Sequence, residues 1–183
     1  MQMSSGPSSG ASLRPFGREA GDPAAFPPGP ELRDALRTAV ARLDAAELTG
    51  RPQELSLALI PVASCYRTLG AHLAAQDVLR QALRHARLVG SSELLTDVLC
   101  ELAETACRLA EELQRADQAG ARAARERARD EAFEAASLAH RCTDETWSAQ
   151  ALLRISDVLN RCGDHDDAAW LQARAVVLMA QPR

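Results

Sequence analysis

PQELSLALIPVASCYRTLGAHLAAQDVLRQALRHARLV, residues Pro52–Val89, decides the fold class. Its apolar residues recur three, four and seven apart on either side of Gly70, the period of a helix rather than the alternation of a strand. Before the glycine stand Leu59, Val62, Ala63 and Tyr66; after it stand Ala75, Leu79 and Ala82. The pattern predicts a helix over Gln53–Leu69, a turn at Gly70 and a helix over about His72–Val89, closed by Gly90. Pro61 falls inside the first of these and has no amide to donate to the Leu57 carbonyl. A kink or loosened turn is expected near Leu57.

The same spacing recurs further along the chain. Relative to Gly163, the residues Leu152, Ile155, Ser156 and Leu159 precede the turn, and Ala168 and Ala175 follow it. Between the two units, Leu99, Leu102, Ala103 and Ala106 fill the equivalent places on a first helix, with Ala128 and Ala135 assigned to the second. Upstream, Pro30 with Glu31 and Asp34 opens a helix that runs to about Leu48, where Thr49-Gly50-Arg51-Pro52 stops it. Ser91 and Ser92 cap a long helix whose sequence turns polar beyond Ala110. Gly120 is expected to break that stretch into a hairpin, the return helix reaching about Arg141. Thr143 or Asp144 caps the next helix, which runs to Arg161, and a last helix ends near Ala180. Seven helices follow, as a half unit at 31–48 and units at 52–89, 91–141 and 143–180. Residues 1–30 hold six Pro, five Gly and five Ser. Such a stretch buries too little apolar surface to offset its ordering entropy, so a disordered tail is expected there. Phe16 and Phe26 are the side chains it could offer to a groove.

Composition supports an all-α chain. Hydrophobic residues make up 46% of it but aromatic ones only 3%, so the apolar content is mostly Ala and Leu, both strong helix formers. A net charge of −4 gives no electrostatic reason to expect nucleic acid as a partner. Every basic residue is Arg and none is Lys, which with the wealth of Ala suggests a GC-rich, bacterial coding sequence. The five cysteines are odd in number and contain no C-x-x-C pair, unlike a disulfide framework or a zinc site. A reducing cytoplasm is the simpler setting. No basic segment followed by an apolar run marks a signal peptide, and no apolar run reaches the roughly 18 residues of a membrane span.

With these residues in hand, the pattern resembles that of the tetratricopeptide (TPR)-like helical repeat superfamily. A large apolar residue is followed, one turn on, by a large–small pair, then an aromatic, a turn glycine and two alanines seven apart. Small residues such as Ala63, Ala103 and Ser156 let two helices approach, and their large neighbours fill the remaining gap. The resemblance covers residues 31–180 and implies a TPR-like α-solenoid of about seven helices in antiparallel pairs. Gly50 to Gly90 spans 40 residues, more than the common unit of about 34. The chain is therefore similar to the long-unit type found in kinesin light chains and bacterial regulators. The closing proline of a unit is missing, Tyr66 alone keeps the aromatic, and the middle unit carries an insertion of about a dozen residues near 110–130.

No residue set calls for chemistry or a cofactor. His72, His85, His140 and His165 form no H-x-x-x-H or H-E-x-x-H pair, and the acidic Asp164–Asp167 segment suits the positive end of a helix better than a metal. Cys100 and Cys107, seven apart on one helix face, have no neighbouring base in sequence to activate them. Phosphate loops, G-x-S-x-G and dinucleotide fingerprints are absent. Arg122, Arg125, Arg127 and Arg129 alternate with Glu126, Asp130, Glu131 and Glu134, the pattern of a solvated face.

What remains is the groove that the resemblance implies. Carried over by position, it is lined by Leu57, Ile60, Ser64 and Arg67, then by Asp97, Glu104 and Arg108, then by Gln150, Asp157 and Arg161. One arginine from each unit suits a carboxylate or an acidic peptide, although Glu104 and Asp157 lie near enough to pair with those arginines. The Lys- and Asn-based clamp of TPR domains that grip chaperone C-termini is absent. The expected function is a cytoplasmic, non-catalytic protein–protein interaction scaffold or adaptor. Two other readings stand beside it. One is a self-assembling module, a homo-oligomer joined through the apolar last helix with Trp170, Val176, Val177, Leu178 and Met179. The other is a helical enzyme with dispersed site residues.

Overall fold

The computed structural model describes residues 29–180, and all of their regular secondary structure is α-helical. The helices are α1 (Pro30–Thr49), α2 (Pro52–Thr68), α3 (His72–Val89), α4 (Ser92–Leu113), α5 (Gln118–Ala139), α6 (Glu145–Cys162) and α7 (His165–Ala180). The all-α expectation and the seven helices stand. Residues 1–28, most of the expected tail, lie outside the described residues, as do Phe16 and Phe26. Pro30 belongs to α1, as its first residue. Connections of two to five residues fold each helix back onto the one before it. Every helix packs on its successor, and α4 touches both α2 and α6, so the even-numbered helices form one continuous row.

Local chemistry sets the helix ends. Gly70 and Gly163 have φ of +74° and +94°, a left-handed conformation that strains any side chain, so the α2–α3 and α6–α7 turns favour glycine. Ser91 Oγ accepts the Leu94 amide at 3.2 Å and caps α4. Asp144 caps α6, its Oδ1 accepting the amides of Thr146 and Trp147 at 3.0 Å each. One boundary differs from expectation. The α4–α5 hairpin breaks at 114–117, and Gly120 lies within α5. Asp117 makes the break, its carboxylate accepting the Gly120 amide at 2.9 Å as the cap of α5. Glycine suits the third helical position because a β-carbon there would collide with that carboxylate. Pro61 does not end α2, which is helical from Pro52 to Thr68.

The small-and-large pattern faces the interior. Leu59, Ala63, Ala75, Leu79 and Ala82 join Val98 and Leu102 in one apolar cluster shared by α2, α3 and α4. Leu99, Ala103, Ala128, Ala135, Leu152, Ile155, Leu159, Ala168 and Ala175 belong to a second cluster spanning α4 to α7. Tyr66 is half-buried against the first. Each fully buried leucine contributes about 1.5–3 kcal/mol relative to exposure, which is why Leu79, Leu152 and Leu159, all wholly inaccessible, anchor their clusters. The buried face of α5 consists of seven alanines, Ala121 to Ala139, packed along α4. Two buried hydroxyls tie neighbouring helices: Ser56 donates to the Ala82 carbonyl and Ser148 to the Ala139 carbonyl, each at 3.0 Å.

Candidate functional site

The row of even-numbered helices carries the residues expected to line a groove. On α4, Asp97, Glu101, Glu104, Arg108 and Glu111 recur at intervals of four and three, which puts them on one face. On α6, Arg154, Asp157 and Arg161 do the same. Packing of α4 between α2 and α6 turns these stripes toward each other and toward Arg67 at the end of α2.

The result is a ladder of ion pairs. Arg67 Nη1 lies 2.7 Å from Glu101 Oε2 and 3.7 Å from Glu104 Oε2, and it donates to Thr105 Oγ1 at 3.4 Å. Arg154 takes the other oxygen of the same carboxylate, Glu101 Oε1, at 2.7 Å, and reaches Asp97 at 3.5 Å. Arg108 pairs with Glu104 at 3.0 Å, and Arg161 pairs with Glu111 at 2.8 Å rather than with Asp157. The Arg67 and Glu101 side chains are only 13% and 16% exposed, so this rung is shielded from solvent, unlike the outer ones. Burial alone would raise the Glu104 carboxyl, but the Arg67 charge and the Arg108 hydrogen bond outweigh it and hold the group below its ordinary range. For Asp97 burial wins over Arg154, and its carboxyl is raised.

Two clefts open on this side of the molecule. The larger, about 610 Å³, lies between α1 and α2 and is lined by Ala35, Thr38, Ala39 and Arg42 together with Leu57, Ile60, Pro61, Ser64, Cys65, Arg67 and Glu101. The smaller, about 200 Å³, lies between α4 and α6 and is lined by Cys100, Glu104, Arg108, Arg154, Asp157, Val158 and Arg161. Leu57, 49% exposed, also borders an opening of about 520 Å³ with Leu88 and Val89.

The structure therefore divides the expected groove residues between two places. Leu57, Ile60, Ser64 and Arg67 converge on the larger cleft; Glu104, Arg108, Asp157 and Arg161 converge on the smaller. Asp97 stands beside Arg154, and Gln150 is an exposed residue of α6 that lines neither cleft. Sequence reasoning missed Glu101, Arg154 and Glu111, and the contribution of α1. The signal for the first three was present in the four-and-three charge stripes of α4 and α6. The three arginines chosen to read an acidic partner are each already engaged by a carboxylate of this chain.

Among the described residues no group of three or more His, Cys, Asp and Glu is placed to hold a metal, and no helix is long and apolar enough to cross a membrane. No protein-family model and no curated protein matches the chain. Among solved structures, it is similar to a chain of the DHF58 filament, with 27% identity and a TM-score of 0.43 over 81% of this chain and 80% of that one. It is similar also to BtubC (BKLC) from P. vanneervenii, with 18% identity and a TM-score of 0.37 over 84% and 78%. These superpositions are loose, and the functional reading rests on the chain's own residues.

Proposed function

We propose that this chain is a TPR-like α-solenoid acting as a non-catalytic scaffold or adaptor, which takes a peptide or partner helix into the cleft between α1 and α2. The observation that carries the reading is the cleft itself: about 610 Å³, with Leu57, Ile60 and Pro61 on its wall and Arg67 at its edge. Support for the repeat arrangement comes from the burial of the small-and-large positions in all three units and from the continuous contact of α2, α4 and α6. Because Arg67 is held by Glu101 and Glu104, the occupant is chosen by apolar side chains more than by negative charge. Pro61 leaves the Leu57 carbonyl without its usual helical donor, and a backbone amide of the occupant would supply one. Leu57 is half exposed, so Leu57→Glu should leave the fold intact while obstructing the cleft. Affinity capture from the native lysate with wild type and Leu57→Glu tests this. A partner whose binding weakens about tenfold or more in the variant, with an unchanged melting curve, is expected. Identical capture by both proteins would remove the assignment.

A second reading is favoured by α7. Its buried stripe is Ala168, Leu171, Ala175 and Leu178, yet Trp170 and Val177 lie opposite that stripe and are 60% and 50% exposed, and Val176 and Met179 are 58% and 52% exposed. A helix apolar on both faces ordinarily has neighbours on both, so this exposed face suits association with a second copy. Light scattering over a concentration series decides: a monomer throughout eliminates self-assembly, and growth abolished by Val177→Glu supports it.

A further inference from the structure

Two cysteines far apart in sequence meet where α4 passes α6. Cys107 is buried on α4, Cys162 is the half-buried last residue of α6, and their sulfurs lie 3.5 Å apart. Both are free thiols, anchored by weak contacts from Cys107 Sγ to the Val158 carbonyl at 3.9 Å and from Cys162 Sγ to the Arg125 carbonyl at 3.8 Å. Their environments differ in the sense that thiol chemistry needs. The contact between the two sulfurs is the main influence holding the Cys162 thiol below its ordinary value, and the charges of Arg161 and Arg125 act with it against burial and Asp164. The same contact, with burial, pushes Cys107 up. Cys100, by contrast, is buried without a thiol partner and pushed up to about 12, the state of an inert core cysteine. A half-buried thiol lowered from its ordinary value, in contact with a fully buried second thiol, is the arrangement of an attacking and a resolving cysteine.

We propose that Cys107 and Cys162 form a peroxide-responsive dithiol, with Cys162 attacking and Cys107 resolving, whose disulfide ties α4 to α6. In the first step the Cys162 thiolate attacks one peroxide oxygen. The O–O bond breaks, the other oxygen leaves as hydroxide and is protonated to water, and Cys162 becomes a sulfenic acid. In the second step Cys107 gives its proton to solvent and attacks the Cys162 sulfur. The S–O bond breaks, hydroxide leaves and is protonated, and the S–S bond forms. Two electrons pass from the sulfur pair to the peroxide, and two thiols plus one peroxide become one disulfide plus two waters. The sulfurs need to close by about 1.5 Å to reach a bond of about 2.05 Å. Cys162 is the last residue of its helix and is followed directly by the Gly163 turn. The bond would also connect the residue preceding Arg108 with the residue following Arg161, two arginines that line the smaller cleft.

The test uses the reduced full chain and graded hydrogen peroxide, at doses that oxidise glutathione in a parallel tube. Free thiols are counted by maleimide mass tagging. The expected result is loss of two of the five thiols, a monomer lighter by two hydrogens, one cross-linked peptide pair containing Cys107 and Cys162, and full reversal by dithiothreitol. In Cys107→Ser, Cys162 should stop at a sulfenic acid that dimedone traps. In Cys162→Ser, whose altered side chain is half-exposed, Cys107 should keep its thiol at the same dose, with an unchanged circular dichroism spectrum. Retention of all five thiols by the wild-type protein, a cross-link mapping to another pair, or a bond formed only between two chains would each overturn the proposal.

Discussion

The two clefts on the α2–α4–α6 side are opposites. The one between α4 and α6 is rich in charge, yet its arginines are neutralised by carboxylates of the same chain. The one between α1 and α2 has few charges and a wall of Leu57, Ile60 and Pro61, and it is three times the size. The difference shows that a convergence of charged residues in sequence marks a place where helices are held together as readily as a place where a ligand is held. The open site lies where packing is thin: Ala39 and Ala46 are the buried residues of α1, while α4 buries twelve.

That contrast can be broken most forcefully from beneath. Leu102, 1% exposed, belongs to the apolar cluster that α4 shares with α2 and α3, and Leu102→Ala should cost about 2–5 kcal/mol in urea unfolding. Leu57→Ala on the cleft wall should stay within about 0.5 kcal/mol. Comparable losses from the two substitutions would mean that the larger cleft is part of the core. Next comes the ladder. Glu101 serves both Arg67 and Arg154, so Glu101→Ala leaves the shielded Arg67 without its nearest carboxylate and should cost roughly 2–4 kcal/mol. The double replacement Arg67→Met with Glu101→Leu should recover most of that loss. A single-variant cost no greater than that of a surface pair would reduce the ladder to decoration.

The smallest effect contrasts the ladder with a carboxylate outside it. Glu131 on α5 has a buried Oε2 with no hydrogen-bond partner, and burial pushes its carboxyl from an ordinary 4.5 up to about 7, against the pull of Arg80 and Arg127. Between those values the folded state holds a proton that the unfolded state has released, so stability falls as pH rises from about 4.5 to about 7 and stays lower above that. Glu131→Gln should therefore stabilise the protein by roughly 1–3 kcal/mol at pH 8 and have no effect below pH 4. Equal effects at both ends of the pH range would show that the group does not titrate out of its ordinary range.

Most of the architecture was legible because helical spacing and turn glycines are local signals. Leu79, Ala82, Leu152 and Leu159 were placed in the core from periodicity alone, and all four are wholly buried. Gly120 misled because a glycine can end one helix or fit inside the first turn of the next. Asp117 settles the matter through a hydrogen bond that three-residue spacing permits but does not announce. The site was harder to read. Arg67, Arg108 and Arg161 were found, but their engagement depends on Glu101 and Glu111 coming from another helix, and sequence alone does not say which stripe faces which. The α1 wall of the larger cleft left no mark, since Ala35, Thr38 and Arg42 are unremarkable on a lightly buried helix.

The alanine face of α5 carries one more consequence. A methyl group has no rotamers to lose, so Ala121, Ala124, Ala128, Ala132 and Ala135 dock on α4 without the side-chain entropy that ordering leucines or methionines would forfeit. Each contributes little transfer energy of its own, and α5 is also tied to its surroundings by Arg129–Asp164 and Glu134–Arg87. A larger side chain at these buried positions would have to displace its neighbours on α4, at a cost of about 1–3 kcal/mol. The α5 face turned toward α4 therefore resists enlargement through shape alone, with no polar contact needed to enforce it.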